Sequence, residues 1–130
     1  MSVAEPEHLA WFRKAEHNLL SISNNMVAAN VPWDNVTFDA QQAAEKYLKG
    51  FLVYRARRPP KIHDLAELLA ICTDFDQALS SLNADCRELT HLGFVSRYPD
   101  EPGGPTEVEA RRAVEIATRV RDAVLQRVPK

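Results

Sequence analysis

The chain has 130 residues, of which 45% are hydrophobic and 26% are charged, as in an ordinary globular domain and unlike a disordered or collagen-like chain. Sixteen Lys and Arg residues against eighteen Asp and Glu residues give a net charge of -2, so the whole molecule has no strong field that would hold nucleic acid or an anionic membrane. Any phosphate binding therefore requires a local patch. The length predicts one domain over residues 1–130.

The sequence also suggests where the protein acts. It has no apolar run near the roughly 20 residues of a membrane-spanning helix and no apolar core of a signal peptide. Cys72 and Cys86 do not form a C-x-x-C pair, which argues against a zinc ribbon or a disulfide framework and predicts two small core residues. We therefore expect a cytoplasmic protein that does not bind membranes.

Two long helices are predicted in the first half of the chain. The first runs from about residue 5 to residue 28, because five apolar residues alternate at spacings of three and four: Phe12, Ala15, Leu19, Ile22 and Met26. Pro32 separates it from the second helix, for which Asp34 is the predicted N-cap and Pro59 and Pro60 the predicted stop. The second helix has an unusually broad apolar face, which predicts a central, buried position: Ala40, Ala43, Ala44, Tyr47, Leu48, Phe51, Leu52 and Tyr54.

Three shorter patterns follow. A capping box at Asp64 and Glu67 predicts a third helix whose buried face is Leu65, Leu68, Leu69 and Cys72. A fourth helix is expected from about Asp76 to Gly93, with Phe75, Leu79, Leu82, Cys86 and Leu89 on one face. The loop from Phe94 to Pro105 precedes a second capping box, at Thr106 and Glu109, and a last helix that ends near Arg127.

Five helical patterns without an alternating strand pattern predict an all-α fold, an antiparallel four- to five-helix up-and-down bundle. Each apolar stripe is too narrow to be buried except against its neighbours. A fold of this kind does not by itself define a function.

Basic residues are concentrated in one part of the chain. Six of them fall within residues 46–61, which contain no acid: Lys46, Lys49, Arg55, Arg57, Arg58 and Lys61. The pattern indicates a local anion site. Its alternative is a solvated helix end, where basic side chains complement the helix dipole.

Arg58 and His63 lie five positions apart in this region. A neutral histidine can take the proton of a ribose 2′-hydroxyl while arginine stabilises the charge that gathers on the phosphate oxygens, without a metal ion. The alternative is structural, since His63 directly precedes the third helix and can pack its ring under the turn.

The long loop carries a second candidate cluster, Arg97, Tyr98 and Asp100, in which the ring of Tyr98 is positioned to stack on a base. Alternatively, Tyr98 packs the loop against the bundle and Arg97 pairs with Asp100. No histidine or carboxylate pair has the spacing of a metal site, and no glycine-rich phosphate loop or G-x-S-x-G motif is present. The sequence therefore indicates no metal site and no cofactor.

Taken together, three landmarks resemble the HEPN family, the higher-eukaryote and prokaryote nucleotide-binding domains. They are the run from Phe38 to Lys49 (FDAQQAAEKYLK), the run from Pro59 to Leu65 (PPKIHDL) and the R-Y-P-D loop from Arg97 to Asp100. They occur in the family's order, and the resemblance covers about residues 8–127.

The resemblance implies a helical homodimer. In members that are metal-independent ribonucleases, an arginine and a histidine separated by four to six residues face their copies across the dimer cleft. Arg58 with His63 fits this spacing, and Arg57 with His63 fits it too. Stand-alone prokaryotic members often form a toxin-antitoxin module with a minimal nucleotidyltransferase, which implies such a protein partner here.

Three functions remain open: a module that binds nucleotide or RNA phosphate, a metal-independent endoribonuclease toxin with Arg58 and His63 as catalytic residues, and a non-catalytic helical adaptor. We predict the binding module, with Arg57, Lys61, Arg97, Tyr98 and Asp100 as binding residues. Two prolines follow Arg58, whereas many nuclease members carry the motif on a continuous helix with a small polar residue after the arginine.

Overall fold

The computed structural model of the protein describes residues 5–95 and 104–129. Its α-helices are α1 (Glu7–Met26), α2 (Trp33–Tyr54), α3 (Leu65–Thr73), α4 (Asn83–Val95) and α5 (Glu107–Gln126), with a 3-10 helix at Gln77–Leu82 between α3 and α4. No strand occurs in these two ranges. The all-α bundle predicted from periodicity is confirmed.

Helix α2 is the centre of the bundle. It packs against α1 and α5 and also contacts α3 and α4. Thirteen of its 22 residues are buried, so a central helix, predicted from its broad apolar stripe, is confirmed. Tyr47, Leu48, Phe51 and Leu52 are among the largest fully buried side chains.

Helices α1 and α2 run antiparallel and approach each other closely. The ring of His8, near the start of α1, lies 5.2 Å from that of Tyr54 at the end of α2. At Gly50 a Cβ atom would lie 2.5 Å from Cε1 of Phe12, closer than two carbon atoms can pack. Glycine at this position therefore allows the first turns of α1 to lie against the last turns of α2.

Helix α5 runs in the same direction as α2. Near its start, the Arg111 guanidinium lies 5.4 Å from the centre of the Trp33 ring, in the first turn of α2. Its beginning has the predicted capping box, in which Thr106 and Glu109 exchange hydrogen bonds. At the start of α3 the N-cap half of the predicted capping box is present, since Oδ1 of Asp64 accepts from the N–H of Glu67 at 3.0 Å.

The predicted ends of α2 are wrong. The helix already begins at Trp33, and Asp34 lies inside its first turn rather than at the N-cap. It ends at Tyr54, before Pro59 is reached, because Ala56 adopts a left-handed conformation with φ 61°. The N–H of Arg57 then donates to the carbonyl oxygen of Leu52 at 2.8 Å, which is the C-terminal hydrogen bond of a Schellman motif.

Gly93 does not end the fourth helix, which continues to Val95 and so includes the first two residues of the predicted loop. A Cβ atom at Gly93 would lie 2.8 Å from Cγ of Gln41. Glycine is needed here because α4 passes close to α2, not because the helix stops. The start at Asp76 is a 3-10 helix rather than an α-helix, with Oδ1 of Asp76 accepting from the N–H of Ala78.

Both cysteines are free and buried, as predicted. Burial is the main cause that raises the pKa of the Cys72 thiol and that of the Cys86 thiol to about 12. Both side chains therefore stay uncharged in the core at physiological pH. No helix in the described ranges is long and apolar enough to cross a membrane.

Candidate phosphate-binding groove and histidine site

The candidate site is built on residues 55–64, here called the return segment, which leads from the end of α2 to the start of α3. The left-handed conformation of Ala56 turns the chain away from the axis of α2. Two adjacent prolines then keep the backbone extended. His63 is thereby brought back beside the middle of α2, where it contacts Glu45.

Three buried polar side chains of α2 form a stripe under the return segment. Gln41, Glu45 and Lys49 are spaced four residues apart and therefore share one face of the helix. Nζ of Lys49 lies 3.2 Å from Oε2 of Glu45, and the two side chains are only 9% and 8% exposed. Nε2 of Gln41 donates to the carbonyl oxygen of His63 at 3.1 Å. We call these three residues the polar stripe.

The polar stripe also determines how the ring of His63 is held. Nδ1 of His63 lies 3.2 Å from Oε1 and 3.1 Å from Oε2 of Glu45. With a carboxylate as its partner, Nδ1 carries the proton in the neutral ring, and Nε2 is left as a proton acceptor. The His63 side chain is 68% exposed, so the ring does not pack under the turn. The arrangement suits an oriented general base.

Three of the six basic residues in the predicted anion site make other contacts in the structure. Lys49 belongs to the polar stripe, where Glu45 neutralises its charge. Lys46 faces α1, and its Nζ donates to Oδ1 of Asn18 at 2.6 Å. Burial and then the nearby Lys14 ammonium lower the pKa of Lys46. Arg55 stacks on the ring of Phe75, 5.2 Å from its centre.

Two of the three remaining basic residues, Arg58 and Lys61, line a groove between the start of α1 and the return segment. This basic groove has a volume of about 270 Å³ and is lined by Glu7, Trp11, Lys49, Arg58, Pro59, Pro60 and Lys61. Within the described part of the chain, the side chains of Arg58 and Lys61 have no ion-pair or hydrogen-bond partner. The groove therefore combines two available cations with an aromatic ring.

A second cavity of about 450 Å³ adjoins the basic groove and shares Glu7, Arg58 and Pro59 with it. Arg57 lines this second cavity, and its Nη1 donates to the carbonyl oxygen of Arg58 at 2.7 Å. His63 lines neither cavity. The structure thus brings Arg57, Arg58 and Lys61 to one surface, whereas His63 is held separately by Glu45.

The other predicted site residues, Arg97, Tyr98 and Asp100, lie outside the described residues. Across residues 5–95 and 104–129, no group of three His, Cys, Asp or Glu side chains is arranged to hold a metal ion.

Sequence reasoning missed Glu45, Gln41 and Trp11. A signal was present for the first two, because polar residues spaced four apart share one face of a helix with the broad apolar stripe of a central element. Trp11 carried no such signal. It lies on α1, far along the chain from the basic residues that it accompanies in the groove.

The structure thus combines a helical bundle with a basic groove and an exposed histidine that a buried carboxylate orients. The family model for the HEPN domain matches residues 8–128. The chain therefore belongs to the HEPN family, whose functions are related to nucleotides and RNA. No curated protein and no solved structure matches it significantly.

The polar stripe leads to a prediction about stability. We expect Glu45→Gln to lower the free energy of unfolding by about 3–5 kcal/mol, because it leaves the buried Lys49 ammonium without an opposite charge. The matched control is the double variant Glu45→Gln/Lys49→Met, which removes both charges and should recover most of the loss. Urea unfolding of the three proteins measures this. An unchanged midpoint in Glu45→Gln would contradict the role assigned to the pair.

Proposed function

We propose that the protein binds nucleotide or RNA phosphate in the basic groove. The observation that carries the proposal is the presence of Arg58 and Lys61, unpaired in the described structure, beside Trp11 in one cavity. Arginine and lysine bind phosphate oxygens, and an aromatic ring stacks on bases of any sequence. Arg57, in the adjoining cavity, extends the positive surface beyond the groove.

This proposal agrees with the charge of the molecule. The net charge is -2, so attraction to RNA has to come from this local patch and is screened by salt. Membership of the HEPN family is independent support for a ligand related to nucleotides or RNA.

The proposal predicts the behaviour of a triple variant. Replacing Arg57, Arg58 and Lys61 with Ala should abolish binding of a labelled single-stranded RNA at low salt. For the wild type, log affinity should fall linearly with log salt concentration, with a slope of about -0.7 for each phosphate contacted. Fluorescence anisotropy measures both effects.

The control for this experiment removes positive charge elsewhere. Arg87, Arg111 and Arg119 are exposed and line neither the basic groove nor the adjoining cavity. Their replacement with Ala should reduce binding much less than the groove variant does. Equal loss of binding in the two triple variants would show a general charge effect and would contradict the groove as the site.

A second candidate function, metal-independent RNA cleavage, is supported by the contact between Glu45 and His63. In this reaction Nε2 of His63 takes the proton of a ribose 2′-hydroxyl, and the 2′-oxygen attacks the phosphorus. The bond to the 5′-oxygen breaks, that oxygen takes a proton from water, and a 2′,3′-cyclic phosphate is formed. Arg58 would stabilise the charge on the phosphate oxygens.

His63→Ala distinguishes binding from cleavage. The side chain is largely exposed, so we expect the melting temperature to change by no more than a few degrees. We expect the wild type to bind RNA without cutting it, because His63 does not line the groove. Cleavage by the wild type in excess EDTA, lost in His63→Ala, would contradict this expectation and establish the second candidate.

We further propose, from the family resemblance, that the protein is a homodimer and pairs with a nucleotidyltransferase in a toxin-antitoxin module. Exposed apolar side chains on α1, directly after α1 and on α5 support a protein interface, since Leu20, Val27 and Val108 are 58%, 86% and 77% exposed. The two free cysteines agree with a cytoplasmic location.

We expect light scattering to give the mass of a dimer, and a strictly monomeric mass would contradict this.

A further inference from the structure

Lys49 connects the basic groove to the carboxylate that holds His63. It is buried and is one of the residues that line the groove, and its Nζ lies 6.0 Å from the centre of the Trp11 ring. The same Nζ donates to Oε2 of Glu45 at 3.2 Å. Its ammonium group is therefore close both to the aromatic ring of the groove and to the carboxylate of the polar stripe.

Glu45 is shared between two partners, one of which changes its charge with pH. Its oxygens accept from Lys49 and also lie 3.1 and 3.2 Å from Nδ1 of His63. While the His63 ring is neutral, the charges of Glu45 and Lys49 balance. Once Nε2 gains a proton, the three side chains together carry one excess positive charge. Glu45 and Lys49 are buried, so water and salt screen their interaction only weakly.

The other charged or titratable groups on the elements around His63 are exposed. They are Lys61 and Asp64 on the return segment, Glu67 on α3, and Arg87 and His91 on α4. Solvent screens exposed charges more strongly than buried ones. The Glu45 carboxylate is both buried and within hydrogen-bonding distance of the ring, so it is the charge that responds most when His63 gains or loses a proton.

We propose that Lys49 is a third phosphate-binding cation of the basic groove, and that its ion pair with Glu45 couples phosphate binding to protonation of His63. This inference rests on the proposed function and adds its regulation by pH. A proton on His63 gives Glu45 a second cationic partner, so Lys49 attracts phosphate more strongly. Because coupling is reciprocal, phosphate in the groove raises the proton affinity of His63 by the same factor. Phosphate binding should therefore tighten as the pH falls through the range in which His63 gains its proton.

Fluorescence anisotropy at about pH 5.5 and about pH 8, the range in which histidine titrates, tests the proposal at constant ionic strength. The probe is a 2′-O-methyl oligouridylate with a pH-insensitive dye. Its phosphodiesters keep their charge across this range, and it has no 2′-hydroxyl from which cleavage could start. We expect the wild type to bind it roughly fivefold more tightly at the lower pH, at the lower end of typical couplings between two sites. In His63→Ala the ratio of the two affinities should fall close to one.

His91→Ala is the matched control, because it removes another exposed histidine. His91 lies on α4 and lines neither the basic groove nor the adjoining cavity, so the wild-type ratio should be kept. An equal fall of the ratio in His91→Ala and His63→Ala would show a general effect of surface charge and would overturn the coupling.

The double variant Glu45→Gln/Lys49→Met tests the ion pair itself without leaving one buried charge unpaired. It keeps His63 and removes the connection to the groove, so its ratio should also be close to one. A wild-type ratio in this variant would show that His63 acts on the ligand directly and would overturn the proposal. Equal binding by the wild type at both pH values would overturn it too, while leaving the groove as the phosphate site. Failure of the probe to bind at either pH would instead contradict the proposed function itself.

Discussion

The candidate site depends on the hydrogen bonds and the ion pair that the buried carboxylate of Glu45 makes. A charge inside the central helix of a bundle is costly to desolvate and is tolerated only when its oxygens are paired. Here the Lys49 ammonium, the Gln41 amide and Nδ1 of His63 all lie within hydrogen-bonding distance of it. Two of these partners are on α2, and the third is on the return segment. Pairing of the Glu45 carboxylate therefore also holds residues 55–64 in place. This segment forms one wall of the basic groove.

The charged and polar residues of α2 act on two sides of the helix. Asp39 accepts hydrogen bonds from Asn18 and Ser21 of α1, at 2.9 and 2.8 Å, and Lys46 donates to the same Asn18. The polar stripe instead faces the return segment. The run from Phe38 to Lys49, whose composition resembles a solvated helix surface, is thus largely internal. Its polar residues orient the neighbouring elements, while the alanines between them let those elements approach closely.

Periodicity was sufficient to predict the helices and the central place of α2, because apolar spacing directly reflects which face is buried. It was not sufficient for the site. Asp34 resembles an N-cap, yet the chain geometry at Pro32 starts the helix earlier, and Gly93 resembles a stop although its role is to let α4 pass Gln41. The sequence places Lys49 in a predicted anion site, because its partner, Glu45, lies just outside the acid-free stretch of residues 46–61. The pairing of Glu45 with His63 depends on the path of the return segment, which no local pattern encodes.

The two candidate functions make different demands on the number of chains. Binding needs Trp11, Arg58 and Lys61, which already line one cavity of a single chain. Cleavage needs a cation and an oriented general base at the same phosphate, and no contact in the described ranges joins the Arg58 guanidinium to the ring of His63. The extended Pro59–Pro60 backbone directs the arginine toward the groove beside α1, whereas Glu45 holds the histidine against α2. A second copy that brings its own arginine to His63 would supply the missing group. The proposed cleavage would therefore need a second copy of the chain, whereas the proposed phosphate binding would not.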